Sequence, residues 1–232
     1  MKLITRNAAF FIAALLFACV LTALLLIYPK GELHLLLNTC HTPWADVFFA
    51  RYSHFITWAP YVLCLSLILF KAGWAVTAAA TLTVSSILTQ LIKHIVNAPR
   101  PLRWFALNMP DVQLNLVDGV RYAYHFSFPS GHTSAFFVFY FIIALILTDS
   151  LPKSPALASA LGVCCALLAA LGGYSRIYLS MHFTLDVLAG TLVALFSVAV
   201  VCLIVQRWTT QPWWQWRLRK KHTFSDDTPA AQ

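Results

Sequence analysis

Apolar residues run along this chain in long blocks, not in the alternation of a half-buried strand or the one-sided stripe of a soluble helix. The first uncharged block extends from Ala8 to Tyr28. Further blocks run from about Thr57 to Phe70, Trp74 to Val96, Thr133 to Thr148, Ala156 to Tyr174 and Phe183 to Val205. A helix needs about 20 apolar residues to cross roughly 30 Å of hydrocarbon. Each block lies near that length, the second and fourth being short. The pattern predicts an all-α integral membrane bundle of six transmembrane helices.

Composition agrees: of 232 residues, 60% are hydrophobic and only 10% charged, which excludes an ordinary soluble domain. We read residues 1–210 as one membrane domain and 211–232 as a basic, disordered cytoplasmic tail. The first block follows Lys2 and Arg6 as a signal peptide would, but it exceeds the usual ~7 to 15 residues and lacks a polar cleavage region. A retained anchor fits better. The six cysteines fall mainly inside apolar runs, with no disulfide framework or zinc spacing.

Net charge is +8, yet the cations sit between apolar blocks and form no nucleic-acid-binding face. They set topology instead. With the N-terminus inside, Lys2, Arg6, Lys71, Lys153, Arg207, Arg217, Arg219, Lys220 and Lys221 are cytoplasmic, and Lys30, Arg51, Lys93, Arg100, Arg103, Arg121 and Arg176 lie outside. The bias sharpens once Lys93, Arg100 and Arg176 are set aside as ligand-binding. Both termini are then expected in the cytoplasm, with the polar connections that carry chemistry at the outer face of the membrane. Residues 31–58 are mixed enough to lie along the outer surface as amphipathic helices. Trp213, Trp214 and Trp216 beside Arg217, Arg219, Lys220 and Lys221 read as an interfacial topology anchor.

Polar residues at membrane boundaries are expensive, and three clusters are expected on that outer face. His182 and Asp186 are four apart at the start of the sixth helix, so Asp186 can accept from one imidazole nitrogen and leave the other free to attack phosphorus. Ser130 is an N-cap candidate, Gly131 allows close backbone approach to an anion, and His132 can protonate a leaving oxygen. Lys93 ends the third helix, Pro99 and Pro101 break the chain so that Arg100 can turn back, and Arg176 adds a third cation. Singly, these features read as an ordinary cap, as cations snorkelling to headgroups, or as a His–Asp pair neutralising burial. Together they form a complete set for phosphoryl transfer through a phosphohistidine. A metal mechanism fits worse because carboxylates are scarce; no metal and no cofactor is expected.

These residues resemble the signature of the type 2 phosphatidic acid phosphatases, whose core fold is shared with vanadium haloperoxidases. The matching positions are Lys93 with Arg100 and Pro101, then Pro129, Ser130, Gly131 and His132, then Ser175 and Arg176 with His182 and Asp186. The resemblance implies that Lys93, Arg100, Ser130, Gly131 and Arg176 bind phosphate. It makes His132 the acid, His182 the nucleophile and Asp186 its partner. It implies a membrane lipid phosphate as substrate, with lipid A phosphate ranked before undecaprenyl pyrophosphate because residues 114–120 are similar to loops in envelope phosphatases of bacteria with two membranes. Alternatives are a lipid phosphotransferase using the same site, a phosphatidylglycerol phosphate or phosphatidic acid phosphatase, a haloperoxidase, and a non-catalytic lipid-phosphate carrier, which would not need the His182–Asp186 pair. Trp104, Phe105, Tyr122, Tyr124 and Phe126, in the long connection from Pro99 to Pro129, are expected to shape substrate choice.

Overall fold

A computed structural model describes residues 2–151 and 153–216. Among them the fold is entirely helical: α1 (Lys2–Arg6), α2 (Ala8–Ile27), α3 (Lys30–Leu37), α4 (Pro43–Phe55), α5 (Ala59–Leu67), α6 (Ala72–Val96), α7 (Pro101–Asn108), α8 (Gly131–Ser150), α9 (Pro155–Tyr178) and α10 (Thr184–Val205). Two short 3-10 turns, Gln206–Trp208 and Pro212–Gln215, follow.

Five helical segments, containing α2, α6, α8, α9 and α10, are long and apolar enough to cross a membrane. The predicted second span is not among them, because α5 has only 9 residues. That part of the chain forms two shorter helices instead, α4 and α5. Tyr178 donates to Asp46 on α4 near one end of the bundle (2.5 Å), and Lys71, just after α5, meets Asp149 at the other (2.6 Å). Between them the helix breaks at Ile56–Trp58, just before Pro60 enters the first turn of α5. A single apolar run does not extend through α4, which carries Asp46, Arg51 and His54.

α8 is the centre of the bundle. Phe136, Phe137, Phe141 and Ile142 are fully buried, whereas Leu16, Val20, Leu26 and Ile27 of α2 face outward. Lipid tails are as apolar as leucine, so helices in a bilayer associate by close packing of small residues. α9 supplies them: Ala166, Ala169, Ala170, Gly172 and Gly173 are buried, and Phe136 of α8 lies directly over Gly172.

Both described chain ends share the end of the bundle opposite the polar clusters. Leu3 packs with Val201, Val205 and Trp214. Residues 211–216, placed by composition in a disordered tail, fold back here: the Ala72 amide donates to the Trp216 carbonyl (3.0 Å) and Trp214 is buried beside Gly73. The remainder of the predicted tail, 217–232, lies outside the described residues.

Candidate active site

The three polar clusters meet at one end of the bundle. α6 stops where Asn97 turns left-handed (φ 42°), its amide capping the Lys93 carbonyl at 2.9 Å. Lys93 is therefore one turn inside the helix, and its Nζ donates to the Phe126 carbonyl (2.5 Å). Arg100 is the extended residue before α7, which starts on Pro101. Its Nε donates to the His125 carbonyl (2.9 Å) and a terminal nitrogen to the Met181 carbonyl (3.4 Å).

Ser130 caps α8 as expected, its Oγ accepting from the Thr133 amide (3.3 Å) and hydroxyl (2.8 Å). That occupies the side chain. Ser130 is fully buried, and the residues that α8 presents to the cavity begin with Gly131 and His132, whose amides, in the first turn, have no helical acceptor. α10 approaches so closely that a Cβ on Gly190 would lie 2.5 Å from the Ser130 carbonyl oxygen, so only glycine fits there.

α9 runs to Tyr178, four residues beyond the predicted end, so Ser175 and Arg176 lie in its last turns. The Arg176 side chain is buried; it donates to Ser53 Oγ of α4, and its Nε has no protein partner. The turn that follows carries His182. Its course is set by Ser180 (φ 49°) and by the Met181 and His182 amides, which donate to the Arg176 carbonyl at 2.9 and 3.1 Å.

His182 and Asp186 are not stacked on one helix face as the spacing suggests. His182 lies in the turn before Phe183, the N-cap of α10, and Asp186 is the third residue of that helix. Nδ1 of His182 stands 3.5 Å from Asp186 Oδ2 and makes no hydrogen bond. Oδ2 instead accepts from Ser127 Oγ (2.6 Å) and the Phe183 amide (2.8 Å), while the Asp186 carbonyl accepts from the Ser130 amide (2.9 Å). In this geometry Asp186 joins the second and third clusters, and a small rotation of the imidazole separates it from the predicted pair.

The His182 turn is braced from behind. Asn38 donates to the Tyr178 carbonyl (2.6 Å), His34 Nε2 lies 3.2 Å from Ser180 Oγ, and Lys30 sits 4.0 Å above the Phe183 ring. Burial pushes His34 down to about 4, the Asp186 carboxylate opposing and Lys30 adding to the shift, so this imidazole is neutral. Burial also holds His182 well below the ordinary histidine range, reinforced by Arg100, Arg176 and Lys93. A neutral imidazole with an available lone pair follows.

Of the residues singled out from the sequence, Lys93, Arg100, Gly131, His132 and His182 line one cavity of about 380 Å³. Ser130, Arg176 and Asp186 are buried and hydrogen-bonded behind that lining. The cavity continues past Thr89, Ser85 and Ala135 toward Pro60 and Tyr61 of α5. Three contributors escaped the sequence reading. Ser53 is 123 residues from its arginine and carried no signal. The Phe183 amide is a backbone group. Ser127, three residues before the cap, was legible as a hydroxyl with no other duty. Of the aromatics in the long connection, Phe105 is buried and Trp104 packs edge-on to Phe183 (5.5 Å), next to the His182 turn.

A helical membrane bundle with cations, helix amides and two histidines around one cavity defines an integral membrane protein built to hold an anion. The PAP2 superfamily model matches residues 74–210, more than half of the chain, and the chain belongs to that superfamily. It is similar to phosphatidylglycerophosphatase B of Bacillus subtilis (strain 168), with 40% identity over 65 residues. That match covers 28% of this chain and spans about a third, 32%, of the relative's length. Among solved structures, Aquifex aeolicus LpxE matches with TM-score 0.59 and 25% identity over 76% of this chain and 97% of its own. A transmembrane PAP2-type phosphatidylglycerolphosphate phosphatase from Bacillus subtilis shares the fold at TM-score 0.59 and 22% identity, over 87% of this chain and 96% of that one.

Proposed function

We propose that this protein is a metal-independent phosphatase acting on a lipid phosphomonoester or pyrophosphate, with His182 as nucleophile. The observation that carries the reading is the convergence of Lys93, Arg100, Gly131, His132 and His182 on one cavity, with three cations close enough to depress His182. Those cations and the α8 amides neutralise the phosphoryl oxygens, the role a metal would otherwise fill. Among the described residues no three His, Cys, Asp or Glu side chains gather as metal ligands. His182 Nε2 attacks phosphorus, the P–O bond to the lipid breaks, and His132 gives its proton to the departing oxygen. Water then attacks the phosphohistidine, losing a proton to His132 and releasing phosphate. Ser130 holds the start of α8 in place, Arg176 turns its unpartnered Nε to a phosphoryl oxygen, and Asp186 receives the Nδ1 proton of His182 as a hydrogen bond once the ring turns toward it.

Lipid A phosphate remains the first candidate and undecaprenyl pyrophosphate the second. The names of the Bacillus relatives favour phosphatidylglycerol phosphate as a further reading. The expected setting is a bacterial inner membrane with the site facing the periplasm. Phosphate release from a panel of these lipids should survive EDTA, be inhibited by vanadate and leave an acid-labile phosphoenzyme. Complete loss in EDTA, restored by magnesium, would sink the mechanism. Topology is checked by a cysteine at Asp118 in a Cys40→Ser background, Gly119 itself being left-handed (φ 78°). An impermeant thiol reagent should label it in spheroplasts; protection would invert the orientation.

A further inference from the structure

The end of the bundle farthest from His182 holds a second cavity, of about 540 Å³, larger than the first. Lys71, Arg6 and Asp149 line it, with Trp74 and Trp214 as aromatic walls and Thr210 at an exposed edge. Lys71 Nζ meets Asp149 Oδ2 at 2.6 Å, and the same oxygen accepts from Trp74 Nε1 at 3.0 Å. Arg6 reaches the other carboxylate oxygen at only 3.5 Å and spends one terminal nitrogen on the Thr148 carbonyl (3.1 Å). Two cations thus share one carboxylate, and the lining keeps a net charge of about one unit. A side-chain cluster needed only to clamp α1 and α6 to the end of α8 would close on itself. This one surrounds an open volume and leaves Arg6 half-exposed to it.

The surroundings indicate what fills that volume. Trp208, Trp213 and Trp216 stand exposed around it, and the sequence continues directly into Arg217, Arg219, Lys220 and Lys221. Interfacial tryptophans with adjacent cations mark the headgroup depth and draw anionic lipid. We infer that this cavity is a binding site for the headgroup of an anionic phospholipid from the leaflet opposite the active site. Arg6 would engage the phosphate, the tryptophans would flank the glycerol region, and Gln206 and Thr210 would meet its polar oxygens. The phosphodiester stays intact, since the described lining holds neither a histidine nor a cysteine to attack it.

Delipidated full-length protein would be titrated with phosphatidylglycerol, phosphatidylcholine or inorganic phosphate, and bound molecules counted by native mass spectrometry. The wild type should retain two phosphatidylglycerols, Arg100→Gln losing the one at the active site and Arg6→Gln the other. One charge-assisted contact corresponds to about a tenfold weakening. Thr210→Phe, at the exposed edge, should obstruct the same site while leaving the Lys71–Asp149 contact in place, which covers the case of a poorly folded Arg6→Gln. Equal retention of phosphatidylcholine, or unchanged retention in both Arg6→Gln and Thr210→Phe, would overturn the assignment. Inorganic phosphate displacing the Arg6-dependent lipid at comparable concentration would give the site to a free anion instead.

Discussion

The two ends of this bundle treat positive charge in opposite ways. At the end away from His182, Lys71 and Arg6 share the carboxylate of Asp149, Lys71 at 2.6 Å and Arg6 at 3.5 Å. At the other, Lys93, Arg100 and Arg176 rest on neutral oxygens: the carbonyls of Phe126, His125 and Met181 and the hydroxyl of Ser53. Among the described residues none of these three forms an ion pair with a carboxylate, and the nearby acid, Asp186, is bonded to Ser127 and the Phe183 amide. Charge paired as closely as Lys71 is with Asp149 holds helices together. Charge kept on neutral acceptors is available to a ligand, because a carbonyl orients a cation without cancelling it.

The sharpest break of that contrast comes from the nucleophile. His182→Ala should abolish turnover and remove the phosphoenzyme entirely, because the pathway itself is gone. A phosphoenzyme formed by that variant would reassign the attack. His132→Ala should lower turnover of natural lipids by about 10² to 10⁴. With an activated ester, whose leaving oxygen needs no proton, a burst of phosphoenzyme should persist. Equal losses for good and poor leaving groups would remove His132 from the acid role.

The cations should separate next. Arg176→Lys keeps the charge but exchanges a planar fork for a point charge, and no longer reaches Ser53 in the same geometry. We expect kcat to fall by about 10² while KM changes little, as for a group stabilising developing charge. Ser53→Ala should reproduce a smaller part of that fall, about tenfold, by freeing the guanidinium. If Ser53→Ala raised KM alone, the bond would serve substrate binding and not the transition state. At the other end, Asp149→Asn leaves Lys71 and Arg6 facing each other without a carboxylate; thermal unfolding should register a loss of about 2 to 3 kcal/mol. An unchanged melting temperature would show that the paired end is not what holds α1 and α6 to α8.

These contrasts also explain what could be read from the chain alone. Long spans were legible because twenty or so apolar residues in a row have few other uses, and the motif residues because Lys93, Arg100, His132 and His182 are costly at a membrane boundary. The α4–α5 stretch was obscured, since Asp46, Arg51 and His54 interrupt its apolar run and Pro60 keeps it from continuing as one helix. Local spacing placed His182 and Asp186 on one helix because four residues is a helical interval. The turn from Leu179 to Phe183, which separates them, is dictated by hydrogen bonds to Arg176, Asn38 and His34. Ser53 could not have been found: nothing near it in sequence indicates the arginine it meets.

The smallest expected effect tests the same uncompensated charge through pH. In the proposed mechanism attack requires neutral His182, and burial together with Arg100, Arg176 and Lys93 disfavours adding a proton to it. The folded pKa therefore lies below the ordinary value of 6.5, and the active form persists as pH falls through that value. Between pH 7 and pH 6 the kcat/KM of the wild type should fall by less than about twofold from this group. A monoester substrate titrates near pH 6 on its own account, so the informative quantity is the ratio of two proteins acting on one substrate. Arg100→Gln removes one of the repelling cations and should move the acid limb of His182 upward. Its activity relative to wild type should then decline as pH drops from 7 to 5.5, on top of its pH-independent loss. A ratio that stays flat over that interval would mean that Arg100 does not govern the protonation of His182, and that the cations at this end act on the ligand alone.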